Sequence, residues 1–99
     1  MWRCLVNVAV LERSNRRRYE VYADDVPVGL LSYRLAGDRL CLIHTEIESP
    51  YEGNGLGSVL VKHVLDEARA QRRTVVPYCP YVKGWIDSRA EYSDLISLD

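Results

Sequence analysis

The sequence has few cysteines and histidines, and their spacing excludes several kinds of site. Its three cysteines, Cys4, Cys41 and Cys79, are an odd number, lie far apart and include no Cys-x-x-Cys pair. This pattern argues against a disulfide framework or a structural zinc site and favours a reducing, cytoplasmic compartment. The two histidines lack carboxylates at matching positions. We therefore expect no bound metal.

A strong charge of one sign and a long apolar run are also missing. The net charge of -1 provides no overall attraction to nucleic acid or to a membrane surface. No apolar run is long enough to span a bilayer. The hydrophobic run between Met1 and Asn7 is too short to resemble that of a signal peptide. We expect neither nucleic acid nor membrane as a partner.

Repeats, linkers and low-complexity tracts are absent too, and 99 residues allow a single domain spanning residues 1–99. The hydrophobic fraction of 47% and the charged fraction of 27% are typical of an ordinary soluble globular protein. Residues Cys4 to Leu11 are apolar on nearly both faces, which predicts a buried strand. The polar segment that follows, with Arg16-Arg17-Arg18, is interpreted as an exposed turn rather than a phosphate-binding patch.

The rest of the chain shows strand periodicity, then helical periodicity. We expect antiparallel strands over 19–23, 26–35 and 39–47, because the breaks between them are short. A period change at Gly55 predicts a helix to about Arg72, with Leu56, Leu60, Val64 and Ala68 on its buried face. A strand over 74–78 can then lie parallel to the 39–47 strand. One or two short helices close the chain, so the order is ββββαβα in a mixed α/β fold.

A glycine-rich turn stands between the last long strand and the helix. Its residues, Gly53, Gly55 and Gly57, alternate just before the amphipathic segment. Glycines allow a close backbone approach, and a helix N-terminus presents unpaired amides with positive potential. Such a turn favours a phosphorylated ligand. It is neither the G-x-G-x-x-G dinucleotide fingerprint nor a nucleoside-triphosphate loop, and a plain turn remains the alternative.

Three segments in this order resemble the GNAT N-acetyltransferase superfamily. They are His44-Thr45-Glu46-Ile47, then Gly53-Asn54-Gly55-Leu56-Gly57-Ser58, then Pro77-Tyr78-Cys79-Pro80-Tyr81. They are similar to the HT-x-V strand, the RG-x-G-x-G/A turn and the P-x-C-x-Y/F segment of its short, single-domain branch. The resemblance covers about Tyr19 to Ile96, so residues 1–15 look like an N-terminal strand extension.

The resemblance implies that acetyl-CoA binds at the turn. In this superfamily the pyrophosphate lies on the turn amides, and the pantetheine arm runs between two diverging parallel strands. These would be the strands ending near Ile47 and Tyr78. The cofactor-binding residues implied are Ile47, Gly53, Asn54, Gly55, Leu56, Gly57, Ser58, Cys79, Pro80 and Tyr81.

Three side chains are candidates for catalysis. His44 and Glu46 are two residues apart and project from one face of a strand, where either could deprotonate an amine acceptor. The alternative is a structural histidine beside an exposed glutamate. Cys79 could accept the acetyl group as a nucleophile or only line the pocket as a buried thiol. Tyr78 or Tyr81 could protonate the leaving thiolate, although packing roles explain both.

Glu52 departs from the family pattern, which has a basic or amide side chain at that position. A carboxylate beside a pyrophosphate is repulsive, so we expect Glu52 to point to solvent. We also expect an open acceptor side, because the chain has no helical segment between its first strands. The sequence thus predicts an acetyl-CoA-dependent N-acetyltransferase acting on an amine, and an open acceptor side is consistent with an amine of a protein or peptide. The alternative is a CoA-binding module with little or no catalysis.

Overall fold

The computed structural model describes residues 7–96, which form a five-stranded mixed sheet with two α-helices. The strands are β1 (Val8–Arg13), β2 (Arg18–Ala23), β3 (Val26–Ala36), β4 (Arg39–Ile47) and β5 (Thr74–Pro77), and the helices are α1 (Leu56–Ala70) and α2 (Pro80–Asp87). Short 3-10 helices occupy Ser14–Arg16, Ser49–Tyr51 and Ala90–Leu95. The strands lie side by side in chain order. The predicted ββββαβα order and mixed α/β class are confirmed.

The first four strands form an antiparallel meander. Between β2 and β3 the turn residues Asp24 and Asp25 have φ angles of 49° and 70°. Positive φ at both central residues characterises the two-residue turn that matches the twist of a hairpin, and aspartate tolerates it. The hairpin expected at this break is therefore present.

The N-terminal strand is an exposed edge strand, so the prediction of a buried strand is wrong for its described part. β1 pairs with β2, and only Val10 of this strand packs against the core. The helix α1 lies over β2 to β5 and leaves β1 uncovered, with Val8 and Leu11 exposed. Cys4 and its neighbours up to Val6 lie outside the described residues.

The helix α1 supplies the apolar stripe that covers one face of the sheet. Its predicted inward residues are all buried: Leu56, Leu60, Val61, Val64, Leu65 and Ala68. The helix ends at Ala70, two residues earlier than predicted, because Arg72 adopts a left-handed φ of 59°. The Arg73 amide then donates to the Ala68 carbonyl at 2.9 Å, which is the Schellman arrangement. Within residues 7–96 no helix is long and apolar enough to cross a membrane.

The strand β5 is parallel to β4, as predicted, and pairs with residues 39–42 of it. After β5 the chain forms α2 and the 3-10 helix at 90–95, whose Tyr92 and Leu95 are buried in the same core as α1. The sequence predicted one or two short helices here, and the structure has two. The sequence did not predict that Ile96 would return to form an isolated bridge with Val75 of β5.

Candidate functional site

A β-bulge in β4 alters the alternation of its side chains. Leu42 lies opposite Tyr33 and His44 lies opposite Ser32, so Ile43 is an extra residue on β4. A bulged residue shifts the face of every side chain that follows it. The bulge therefore sits at the start of the segment that holds the candidate residues.

The bulge places the candidate residues on opposite faces of the sheet. Before it, Leu40 and Leu42 are fully buried on the face that α1 covers. After it, Thr45 lies opposite Leu31, a core residue, and is turned to the helix side. His44 and Glu46 are thereby directed to the face without α1, which we call the open face. They share a face, as predicted, but it is opposite to the face of Leu42.

Next to the bulge β4 and β5 separate. Their pairing ends at Leu42 and Pro77, and the Cys79 amide donates to the Leu42 carbonyl at 3.0 Å. Beyond this bond β4 continues to Ile47, whereas the segment that follows β5 turns away into α2. The gap opens toward the glycine-rich turn and the first turn of α1.

A cavity of about 440 Å³ lies where this gap meets the turn. We call it the cradle cavity, and its lining residues are Thr45, Ile47, Tyr51, Glu52, Gly53, Gly55, Leu56, Gly57 and Tyr81. Six of them were predicted as cofactor-binding residues: Ile47, Gly53, Gly55, Leu56, Gly57 and Tyr81. Asn54, Ser58, Cys79 and Pro80 were also predicted but do not line the cavity. Sequence reasoning missed Thr45 and Tyr51 as lining residues, although Thr45 belongs to the strand motif that it singled out.

The turn into α1 requires glycine at two positions. Gly53 and Gly55 have φ angles of 85° and 79°, a left-handed conformation that other residues adopt at a cost. Gly55 is the N-cap, and the first intrahelical bond runs from the Val59 amide to its carbonyl at 3.1 Å. The amides before Val59 have no acceptor within the helix. They form the donor set that the sequence predicted.

Gly57 is required for a different reason, namely space. A Cβ atom added to Gly57 would lie 2.7 Å from the Tyr81 hydroxyl oxygen, which is shorter than the van der Waals contact of a carbon and an oxygen atom. Gly57 is buried, whereas Tyr81 is 48% exposed. The phenol of α2 therefore lies over the first turn of α1, at one end of the cradle cavity.

Cys79 is a buried thiol in contact with β4. Its Sγ lies 3.4 Å from Thr45 Oγ1, across the gap between the two strands. Burial raises the pKa of the thiol, but the Thr45 hydroxyl and the Val82 and Tyr81 amides favour the thiolate, and the net effect is a lowered pKa. The side chain is 4% exposed. Cys79 thus forms a wall of the gap.

His44 and Glu46 are hydrogen-bonded to each other on the open face. His44 Nε2 lies 3.0 Å from Glu46 Oε2, and both side chains are more than half exposed. Neither belongs to the hydrophobic core. A histidine oriented by a carboxylate is a common arrangement for a general base. Among residues 7–96 no group of three metal-binding side chains occurs.

A second cavity, of about 460 Å³, lies beside the first. We call it the open-face cavity, since it is lined by Arg18, Glu20, Leu30 and Glu46 of the open face. It shares Thr45, Ile47 and Glu52 with the cradle cavity. Glu52 is exposed, as expected, but it stands at the junction of the two cavities. Neither this position nor the open-face cavity was predicted.

Comparison with known proteins is consistent with this geometry. A model of the GCN5-related N-acetyl-transferase family matches residues 18–95. The NMR structure of a GCN5-like protein from Staphylococcus aureus is 18% identical, covers 92% of this chain and 89% of its own, and has a TM-score of 0.72.

A second solved structure has the same fold. The ribosomal-protein-S18-alanine N-acetyltransferase from Escherichia coli is 13% identical, with 85% of this chain and 76% of its own covered and a TM-score of 0.66. At such identities the two structures show the fold alone. No curated protein sequence matches the chain significantly.

Proposed function

Because the chain belongs to the GCN5-related N-acetyltransferase family, we propose that it transfers an acetyl group from acetyl-CoA to the amine of a peptide or protein. The cradle cavity is the observation that carries this proposal. It joins a positive-φ glycine turn, the unpaired amides of a helix N-terminus and the gap between two parallel strands. These are the parts needed to hold a pyrophosphate and an extended thiol arm.

The residues of the cradle fit a CoA pyrophosphate. Amides from Gly53 to Ser58 bind the phosphates, because donors without intrahelical acceptors and the helix dipole both favour an anion. The absence of a Cβ at Gly57 leaves room beside the Tyr81 hydroxyl. Bound acetyl-CoA supplies an acetyl thioester. The diverging ends of β4 and β5 hold its pantetheine arm, with Thr45 and Ile47 on the cavity wall.

An amine must lose a proton before it attacks a thioester, and His44 is the residue assigned to accept that proton. Its imidazole lies on the open face and is held by Glu46 at 3.0 Å. A carboxylate partner orients the ring and stabilises the imidazolium. Glu46 lines the open-face cavity, and His44 stands beside it on the same face without lining either cavity. They can therefore reach an amine that enters from the open face, directly or through one water.

Cys79 is assigned to the wall of the site rather than to a covalent step. A nucleophilic thiol needs a base or an access path for the acceptor. Its sulfur is buried and contacts the Thr45 hydroxyl, which is not a base. Direct attack by the amine is therefore the mechanism that this arrangement supports.

Calorimetric titration with acetyl-CoA tests binding, and thiol release with a panel of peptide amines tests turnover. We expect micromolar to submillimolar binding, and about 10- to 100-fold slower turnover for His44→Gln at neutral pH. His63→Gln is the matched control, because His63 lies on α1 beside Tyr19. Absence of binding at millimolar acetyl-CoA would refute the proposal.

A CoA-binding module without catalysis is the second candidate. The observation that favours it is Glu52, whose carboxylate stands at the junction of the cavities where the family pattern has a basic or amide side chain. Acetyl-CoA binding without turnover of any amine would select this candidate.

A further inference from the structure

A third cavity lies on the open face, next to the open-face cavity. It has a volume of about 490 Å³ and is lined by Arg13, Asn15, Arg16, Arg18, Glu20, Tyr22 and Pro27. We call it the arginine cavity. The two cavities share Arg18, Glu20 and Pro27 as a common wall. Together they extend from β1 and β2 to the end of β4 that borders the cradle cavity.

The common wall is a closed polar cluster centred on Glu20. Its carboxylate accepts hydrogen bonds from Arg13 Nε at 3.2 Å, Arg18 Nε at 2.8 Å and the Tyr22 hydroxyl at 2.7 Å. Arg13 also donates to the Tyr22 oxygen at 2.8 Å. The single carboxylate offsets only one of the two guanidinium charges, so the wall keeps one positive charge, and its polar groups are held by hydrogen bonds within the cluster.

Unpaired charges remain at the two ends of this surface. At the end near β4, the carboxylates of Glu48 and Glu52 line the open-face cavity and have no ion-pair partner within residues 7–96. At the other end, the guanidinium of Arg16 lines the arginine cavity and is likewise unpaired in that range. The surface is therefore negative where it meets the cradle cavity and positive beyond the Glu20 cluster.

We propose that this surface binds the N-terminal segment of an acceptor peptide, with the free amine in the open-face cavity between Glu46 and the carboxylates of Glu48 and Glu52, and an acidic side chain at Arg16. The proposal rests on the proposed function, since it places the amine beside the thioester. It also accounts for Glu52: a carboxylate that is unfavourable for a pyrophosphate is favourable for an ammonium group.

The spacing of the strands sets where the acidic residue stands in the peptide. The two cavities share a wall on β2 and β3, with Glu46 of β4 at one end and Arg16 of the β1–β2 connection at the other. These two ends are two to three strand spacings apart, roughly 10 to 15 Å, which an extended chain covers in three or four residues. The acidic residue therefore belongs at the third or fourth position after the free amine.

The test uses alanine pentapeptide amides with a free N-terminus and one glutamate at the second, third, fourth or fifth position. Companion peptides carry lysine at the same position or alanine throughout. Thiol release from acetyl-CoA gives kcat/KM, and calorimetry gives the affinity of each peptide. We expect glutamate at the third or fourth position to raise kcat/KM about five- to tenfold over alanine, and lysine to lower it.

Variants identify the groups responsible. Arg16→Ala is expected to remove the preference for glutamate over alanine. Arg34→Ala is the matched control, because Arg34 is exposed on β3 and lines neither cavity, and it should keep the preference. Glu48→Gln should weaken binding of every free-amine peptide. Acetylation of the peptide N-terminus removes the ammonium charge and should weaken binding to the native protein by a similar factor.

The outcomes separate this proposal from the proposed function. Equal rates for all positions, or a preference for lysine, would overturn the peptide assignment while leaving acetyl transfer intact. Arg16-dependent binding of glutamate peptides without turnover would support the surface and reject the enzyme. Neither binding nor turnover of any peptide would overturn the surface, whatever the protein does with acetyl-CoA.

Discussion

The Trp85 indole nitrogen donates a hydrogen bond to Ser58 Oγ at 2.8 Å, and this bond joins α2 to the first turn of α1. The indole is held in place from both sides. The Arg89 guanidinium stacks 4.0 Å from its ring centroid, and the Tyr92 ring lies 5.2 Å away. The C-terminal part of the chain therefore helps to position the helix end at which we propose that the phosphates bind.

Replacement of Trp85 by phenylalanine should loosen that helix end without unfolding the protein. The change removes the indole donor but keeps an aromatic ring, so we expect a loss of about 1 kcal/mol in the free energy of unfolding. Affinity for CoA should fall several-fold, and affinity for pantetheine, which lacks the pyrophosphate, should not. Ser58→Ala should add nothing to the Trp85→Phe effect if the bond is the cause. Additive effects in this double-mutant cycle would contradict the assignment.

Replacement of Gly57 by alanine should impair CoA binding more than stability. The new Cβ would lie 2.7 Å from the hydroxyl of Tyr81, the far end of an exposed side chain that can move away. Helix propensity favours alanine by about 1 kcal/mol, so we expect little net change in unfolding free energy and at least a tenfold weaker affinity measured by calorimetry. Gly84→Ala is the control: it lies in α2 with open space around it. It should raise stability and leave binding unchanged.

The Glu20 cluster should make stability depend on acid pH. Hydrogen bonds from Tyr22, Arg18 and Arg13 outweigh burial and lower the pKa of Glu20 from 4.5 to about 2. A carboxyl with a depressed pKa stabilises the fold above its unfolded value, and this contribution is lost as pH falls from about 4.5 to 2. The full shift corresponds to roughly 3 kcal/mol, of which we expect about half on an open sheet face.

Urea denaturation of the native protein and of Glu20→Gln between pH 6 and pH 2.5 measures this contribution. The variant should be less stable at pH 6 and should lose less free energy across the range. Parallel pH curves for the two proteins would show that Glu20 is not the titrating group.

Replacement of Cys79 by alanine should leave acetyl transfer largely intact. The thiol is buried and contacts Thr45 Oγ1 at 3.4 Å, so its loss costs packing and this contact. We expect less than a tenfold fall in kcat with acetyl-CoA and a saturating amine. Loss of turnover by several orders of magnitude in Cys79→Ala, together with recovery of acetylated Cys79 from the native protein after acetyl-CoA is added, would instead indicate a covalent intermediate on the thiol.

Much of this fold could be predicted from the sequence, since its signals are local. Alternation marks Arg39–Ile47, a 3.6-residue period marks α1, and alternating glycines mark the turn between them. Each of these preferences acts over a few neighbouring residues. The exposed state of β1 could not be predicted in the same way, because it depends on how far α1 extends across the sheet.

The sequence by itself determined the order of the elements, the donor-rich start of α1 and the family to which the chain belongs. Only the tertiary structure decided on which face the candidate residues stand. The extra residue Ile43 is defined by its pairing with β3, and a bulge of one residue exchanges the faces of all later side chains. Likewise, Arg16 and Glu48 belong to one surface only because three strands bring them together. Strand register is a long-range property, and no local pattern encodes it.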